Sequence, residues 1–400
     1  MAVLSTTDVN SKVAVRVNST EHKGQTSTSL NKPRLKSLDA LRGFDMFWII
    51  GGEGLFAALF TLTGWAGWNI ASRQMQHSQW HGFTLYDLIF PLFIFLSGVA
   101  LGLSPKRLDQ QAFAVALPLY QHACKRLILL IALGILYNHG WGTGIPADLD
   151  KIRYSSVLAR IGFAWFFAAM LVWHTRLSIQ VIVSVSIIGL YTLAQLYLPV
   201  PGGQAGQFTL DASINTYVDG LLRPGIAYQD RPLDPEGILS TVPAVINAMV
   251  GVFAGQFIIR AHSRGDWAKV GVLIACGVLL LVLAWLLEPM IPVNKDLWTT
   301  SFVLVTSGWS LLFLSLFYVI IDVLKWQKWT FVFVVIGTNA IIVYLGSSLI
   351  DWHYISRSLF AGVIEALPVS SQPLLVVISF ISVQWLVLWY MYRRQIFIRI

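Results

Sequence analysis

The chain has 400 residues and carries 28 Lys and Arg against 20 Asp and Glu, a formal net charge of +8, yet only 12% of it is charged and 56% is hydrophobic. A soluble chain of this size is about 25% charged and 45–50% apolar. The mean hydropathy of +0.66 therefore excludes both an ordinary water-soluble globule and a disordered chain, and it points to lipid as the main solvent.

Residues 1–36 are polar, Ser/Thr-rich and basic, with no apolar h-region. They read as a disordered cytoplasmic tail rather than a cleaved signal peptide, with residues 37–400 as the transmembrane domain. Ten apolar runs of spanning length follow, at about 38–60, 83–103, 126–143, 154–174, 177–198, 237–260, 269–287, 299–321, 330–350 and 373–392. The expected fold is an all-α integral membrane protein, a polytopic bundle of about ten transmembrane helices. The loop at about 199–236 is the longest, and Pro201-Gly202-Gly203, Pro224-Gly225 and Pro232 predict irregular backbone there. Residues 357–368 suit a short amphipathic or re-entrant segment.

Most Lys and Arg fall in the tail and in alternate loops, among them Lys106, Arg107, Arg176, Arg264, Lys328 and Arg399. The positive-inside rule then places both termini in the cytoplasm. Basicity is a topology signal in this distribution and calls for no nucleic-acid partner. Cys124 and Cys276 have no spacing that supports a disulfide framework or a metal site.

Ionisable residues inside spans are costly, which makes them functional candidates. In the first span Asp39, Arg42, Asp45 and Glu53 share an arc of about 120° if each residue advances about 100° around one continuous helix. Asp39 and Arg42, near the cytoplasmic end, suit capping and mutual pairing. Asp45 and Glu53 lie deeper and suit function. Arg160, buried in the fourth span, needs a partner, for which Asp45 and Asp87 are the candidates.

Between the first two spans lies His77-Ser78-Gln79-Trp80-His81-Gly82-Phe83-Thr84-Leu85-Tyr86-Asp87-Leu88-Ile89-Phe90-Pro91. A histidine here can take a proton or an acyl group, and a carboxylate can hold its tautomer, provided the loop folds back over the helix end. The residues alone equally allow two interfacial histidines beside an aromatic belt of Trp65, Trp68 and Trp80. His77 and His81 lack an evident third ligand, so no metal is expected.

The runs SLDALRGFDMFWIIGGEG (37–54), HSQWHGFTLYDLIFPLFIFLSG (77–98), DPEGILSTVPAVINAMVGVFAG (234–255), PVNKDLWTTSFVLVTSGW (292–309) and GTNAIIVYLGSS (337–348) resemble the heparan-α-glucosaminide N-acetyltransferase family and its bacterial relatives. The resemblance spans nearly the whole chain from Leu35 onward. It implies an enzyme that takes acetyl groups from cytoplasmic acetyl-CoA as co-substrate and delivers them to the amine of a glucosamine-type sugar on the far side. The family's catalytic histidine matches His77 rather than His81, and its aspartate before the Leu-Ile/Val-Phe-Pro segment matches Asp87. Animal members carry an amide where Glu53 stands. They also carry an additional luminal region and span ahead of this motif with no counterpart in these 400 residues, which leaves the acceptor open between a heparan-like chain and a small amino sugar or short oligosaccharide.

That reaction assigns further residues to expected roles. Arg42, Lys125 and Arg126 would form a basic inner mouth for the nucleotide of acetyl-CoA. The thioester would approach Asp45, Glu53 and His77, with Trp80 and His81 near the sugar. Asp234-Pro235-Glu236 reads as N-cap, N1 and acidic first turn of the sixth span, and Asn247, Gly251 and Gly255 mark its packing face. Asn339 in the ninth span suits an oxyanion or sugar-hydroxyl donor. The expected cavity lies around the first, second, sixth and ninth spans. Gly98 and Gly102, like Gly251 and Gly255, suit helix contacts within one chain or across a homodimer. Two other functions compete: a proton-coupled amino-sugar transporter, which the buried carboxylates would serve, and a membrane O-acyltransferase acting on surface glycans, to whose opening Leu38–Gly43 is similar. The expected location is a bacterial inner membrane.

Overall fold

The computed structural model describes residues 35–109, 111–139, 148–261 and 265–398. The expected tail, apart from Leu35 and Lys36, lies outside the described residues, as do Arg264, Arg399 and the end of the third apolar run. The described residues are helical, with no strand beyond one isolated bridge between Arg153 and Gly225.

The first span is broken. Helix α1 (Lys36–Phe47) passes through a π-helical turn at Trp48–Gly52 into α2 (Gly54–Thr63), and the two arms bend by 56°. Gly51 sits at φ +109 in this turn, a backbone region that a side chain strongly disfavours. A short helix α3 (Ala66–Gln74) follows, then α4 (Ile89–Gly102), α5 (Phe113–His139), α6 (Val157–His174) and α7 (Leu177–Tyr197). The long loop holds only α8 (Ile214–Leu222) and a single 3-10 turn at Tyr228–Asp230. Next come α9 (Ile238–Arg260), α10 (Asp266–Leu287) and α11 (Thr300–Phe317), which continues to Val323. The ninth span is broken as the first is: α12 (Phe331–Gly337) and α13 (Ala340–Leu349) meet at a 61° bend. Helix α14 (Trp352–Glu365) covers the segment expected to be amphipathic, and α15 (Gln372–Arg393) closes the chain. Among the described residues, eight helices are long and apolar enough to cross a membrane, or ten spans if each bent pair counts as one.

The centre of the bundle is the crossing of α4 and α9. A Cβ on Gly98 or Gly102 would overlap the Ala248 or Val252 carbonyl, and one on Gly251 or Gly255 would meet the Phe95 or Val99 carbonyl. Bare glycine lets two backbones touch where lipid supplies no hydrophobic drive between helices. All four glycines are thus used within one chain, and they give no ground for a homodimer. The same close approach joins α1 to α12 through Gly43 and Gly337. Asn247, fully buried on α9, donates to Thr306 and Ser307 of α11 and accepts from Trp298, so it acts as interhelical glue.

Candidate active site

Two cavities enter the bundle from opposite ends. The first, about 430 Å³, is lined by Arg42, Lys106, His122 and Arg126 together with Ser97, Ser104, Thr338 and Ile398. It lies at the end where α1 starts and where the residues after α15 return. The second, about 500 Å³, is lined by His77, Tyr86, Tyr137, Arg153, Glu236, Lys295, Asp296 and Tyr344 among others. Phe93, Leu158, Ile161, Ala340 and Ile341 line both, so a single apolar wall separates the two chambers.

The lining differs from expectation. Spans one, two and nine contribute as expected, but α9 does not; it lies behind α4, and only Pro235 and Glu236 ahead of it reach the second cavity. Helices α5 and α6 take its place. α5 starts at Phe113, well before the expected edge at residue 126, which puts Lys125 and Arg126 inside the helix. Arg126 faces the first cavity and stacks 4.0 Å over Trp165. Lys125 is exposed and does not line that cavity.

At the second cavity the loop does fold back over the helix end. Thr84 and Asp87 form a capping box, in which the Thr84 hydroxyl accepts from the Asp87 amide and the Asp87 carboxylate accepts from the Thr84 amide at 3.3 Å; the two side chains lie 3.0 Å apart. The same carboxylate accepts from the Ser78 amide at 3.2 Å and lies 2.8 Å from Nδ1 of His77. Asp87 is fully buried, whereas the His77 side chain is 54% exposed toward the cavity. The loop is held in place from outside: Trp80 donates to the Phe208 carbonyl, Asn294 donates to the Trp80 carbonyl, and Gly82, at φ +113, donates to the Val293 carbonyl. Trp80 is therefore a staple between loops, and neither it nor His81 lines the cavity.

Lys295 was not read from the sequence, yet its ammonium lies 3.4 Å from Asp87 and 2.9 Å from Nδ1 of His77. It sits in a tight turn in which the Asn294 side chain accepts from the Leu297 amide and Trp298 adopts φ +51. The signal was present in Pro292-Val293-Asn294-Lys295-Asp296, but a loop cation outside any span does not attract notice. Arg153 was missed for the same reason. Its guanidinium donates to both oxygens of Asp234, at 2.8 and 2.7 Å, and to Glu236 at 2.5 Å. Burial alone would raise the Asp234 carboxyl, but the Arg153 guanidinium outweighs it and holds that carboxyl below the usual range. Asp234 and Glu236 thus serve this cluster; the N-cap of α9 is Gly237.

Other expected site residues lie elsewhere. Asp45 is buried against a separate cavity of about 50 Å³, and neither of its carboxylate oxygens has a hydrogen-bond partner among the described residues. Glu53 falls beyond the broken turn, so the uniform rotation that placed it on the Asp45 face does not apply; it lies near the Tyr86 hydroxyl instead. The Tyr86 ring packs 4.7 Å from that of His77. Asn339 is fully buried and binds the Ile396 carbonyl and the Ile398 amide, so its amide anchors the carboxy-terminal segment. Arg160 pairs with neither Asp45 nor Asp87: it donates to the Pro235 carbonyl at 2.8 Å and to Ser240, and stacks 4.6 Å from the Trp298 ring.

No family model matches the chain. The human heparan-alpha-glucosaminide N-acetyltransferase is 28% identical over 373 residues, covering 80% of this chain and 54% of its own length. The mouse protein of the same name is 26% identical over 417 residues, covering 88% and 62%. The chain is a distant relative of the heparan-α-glucosaminide N-acetyltransferases. It spans a little over half the length of these curated relatives.

Proposed function

We propose that this protein is a transmembrane acetyltransferase that passes an acetyl group from acetyl-CoA, entering on one side, to the amine of a glucosamine-type sugar on the other. The observation that carries this reading is the pair of cavities divided by one apolar wall, the first basic and the second built around His77. Acetyl-CoA has that same polarity: several phosphate charges at one end, a long uncharged arm, and a thioester at the tip. Arg42, Lys106 and Arg126 would hold the phosphates. The arm would cross the wall at Phe93, Leu158, Ile161, Ala340 and Ile341, bringing the thioester to His77. The basic chamber would then face the cytoplasm, with both termini on that side, as the Lys and Arg distribution implies. A bacterial inner membrane supplies cytoplasmic acetyl-CoA in that arrangement.

In the chemical step the sugar nitrogen bonds to the acetyl carbon, the carbon–sulfur bond breaks, and coenzyme A leaves as a thiolate that takes up a proton. The acceptor begins as an ammonium and must lose a proton before it can attack. The Asp87 carboxylate engages Nδ1 of His77, so Nε2, which the Lys295 ammonium also approaches at 3.3 Å, would be the receiving atom. Nε2 takes either that proton, in a ternary complex, or the acetyl group itself before handing it on. Purified protein in detergent with labelled acetyl-CoA and glucosamine tests the reaction. Labelled N-acetylglucosamine from wild type and none from His77→Ala is expected. Absence of product from wild type, with reconstituted vesicles accumulating the free sugar, would instead establish a transporter. Label retained on the protein when acceptor is withheld would identify the covalent route.

A further inference from the structure

The carboxylates around the second cavity differ in how fully they are occupied. Asp87 faces His77, Ser78, Thr84 and Lys295. Asp234 is bound by Arg153 and also accepts from the Tyr228 and Glu236 amides, and Glu236 is held by the same arginine. Asp296 is different. It lines the cavity, its side chain is only 22% exposed, and among the described residues its one ion pair is to Arg231 at a loose 3.7 Å, with no hydrogen bond to its oxygens. A carboxylate that is mostly withdrawn from water and weakly paired is an unfinished cation site.

We propose that Asp296 is the anchor for the ammonium group of the acceptor, and so the residue that makes the reaction selective for amines. This rests on the acetyl-transfer reading above and deepens it. Position supports the assignment, because Asp296 follows Lys295, whose ammonium contacts His77, in a turn fixed by the Asn294 side chain. An ammonium held at Asp296 therefore lies at the reacting histidine's own wall. Charge supports it too. Burial pushes the Asp296 carboxyl up, with Lys295 working in the opposite direction, so an arriving cation would stabilise its ionised form. Glu236 is a weaker candidate, because its cation is already in place at 2.5 Å. The nearby Arg231 guanidinium also lines the cavity and is 41% exposed, so it can swing aside as the substrate's ammonium takes over.

The experiment compares glucosamine as acceptor with glucose, its uncharged counterpart, as competitive inhibitor, and reads the ratio of glucose Ki to glucosamine KM. This ratio cancels any loss of folded protein. In Asp296→Asn it should fall about tenfold or more, since a charge-assisted contact is lost, while the KM for acetyl-CoA stays unchanged. Asp296→Glu should restore part of it. A ratio unchanged in Asp296→Asn would overturn the proposal. If that variant does not fold, Arg231→Met serves in its place: removal of the competing cation should lower the glucosamine KM, and an unchanged or higher KM would overturn the assignment. Failure of the transfer reading looks different, because wild type would then give no product with any amine, which would overturn both.

Discussion

The Asp87 carboxylate orders the loop that carries His77 and also fixes its ring, so a change of one atom there separates geometry from charge. Asp87→Asn should lower kcat by roughly 10²–10⁴ while the KM for acetyl-CoA hardly moves, because the amide cannot hold the imidazole in the same tautomer or stabilise its positive form. Initial-rate kinetics check this. A second residue-scale prediction concerns pH. The Asp234 carboxyl is held below its usual range by Arg153, so its ion pair stabilises the folded state above the ordinary carboxylate value of about 4 and is lost as pH falls through the lower folded value. Thermal unfolding in detergent should show Arg153→Met less stable than wild type at pH 7, with the gap closing as pH drops below about 4. His77 and Asp87 were legible as a pair through the family resemblance, given a loop that can fold back over the helix end. Lys295 and Asp296 were not, since nothing in a single sequence brings residue 295 beside residue 77.

At the scale of elements, helix limits were written in hydropathy and the breaks between them were not. All ten apolar runs correspond to helices or bent helix pairs. A run of apolar residues through Gly51-Gly52 looks continuous, however, although the backbone turns by 56° there, and this misplaced Glu53 relative to Asp45. The sequence put Lys125 at a helix edge because Pro118, Gln121, His122 and Lys125 itself interrupt the apolar run at 113–125 and hid the first turns of α5. The glycine pairs were correctly seen as packing sites, and the structure assigns them to the α4–α9 crossing. Gly251→Val should therefore push apart two helices that form the bundle's centre, at a cost of about 1–3 kcal/mol or more from overpacking. Melting of the purified protein should show it as a lower midpoint, whereas Gly189→Val, at an open position on α7, should leave the midpoint unchanged.

At the scale of the whole molecule, net charge and function meet in the placement of a few cations. Arg42, Lys106 and Arg126 line the first chamber, while Arg153, Arg231 and Lys295 line the second. Arg42→Ala and Arg126→Ala should each raise the KM for acetyl-CoA about tenfold with kcat changed little, and added salt should raise the wild-type KM in the same direction. On the proposed acetyl-transfer reading, the two chambers would make transfer vectorial, with donor and acceptor never sharing a compartment. Proteoliposomes with glucosamine sealed inside and acetyl-CoA, which does not cross lipid, added only outside test that directly. Transfer through the bundle predicts N-acetylglucosamine accumulating inside the vesicles with wild type and not with His77→Ala. Product that forms only when both reagents are on the same side of the membrane would contradict it.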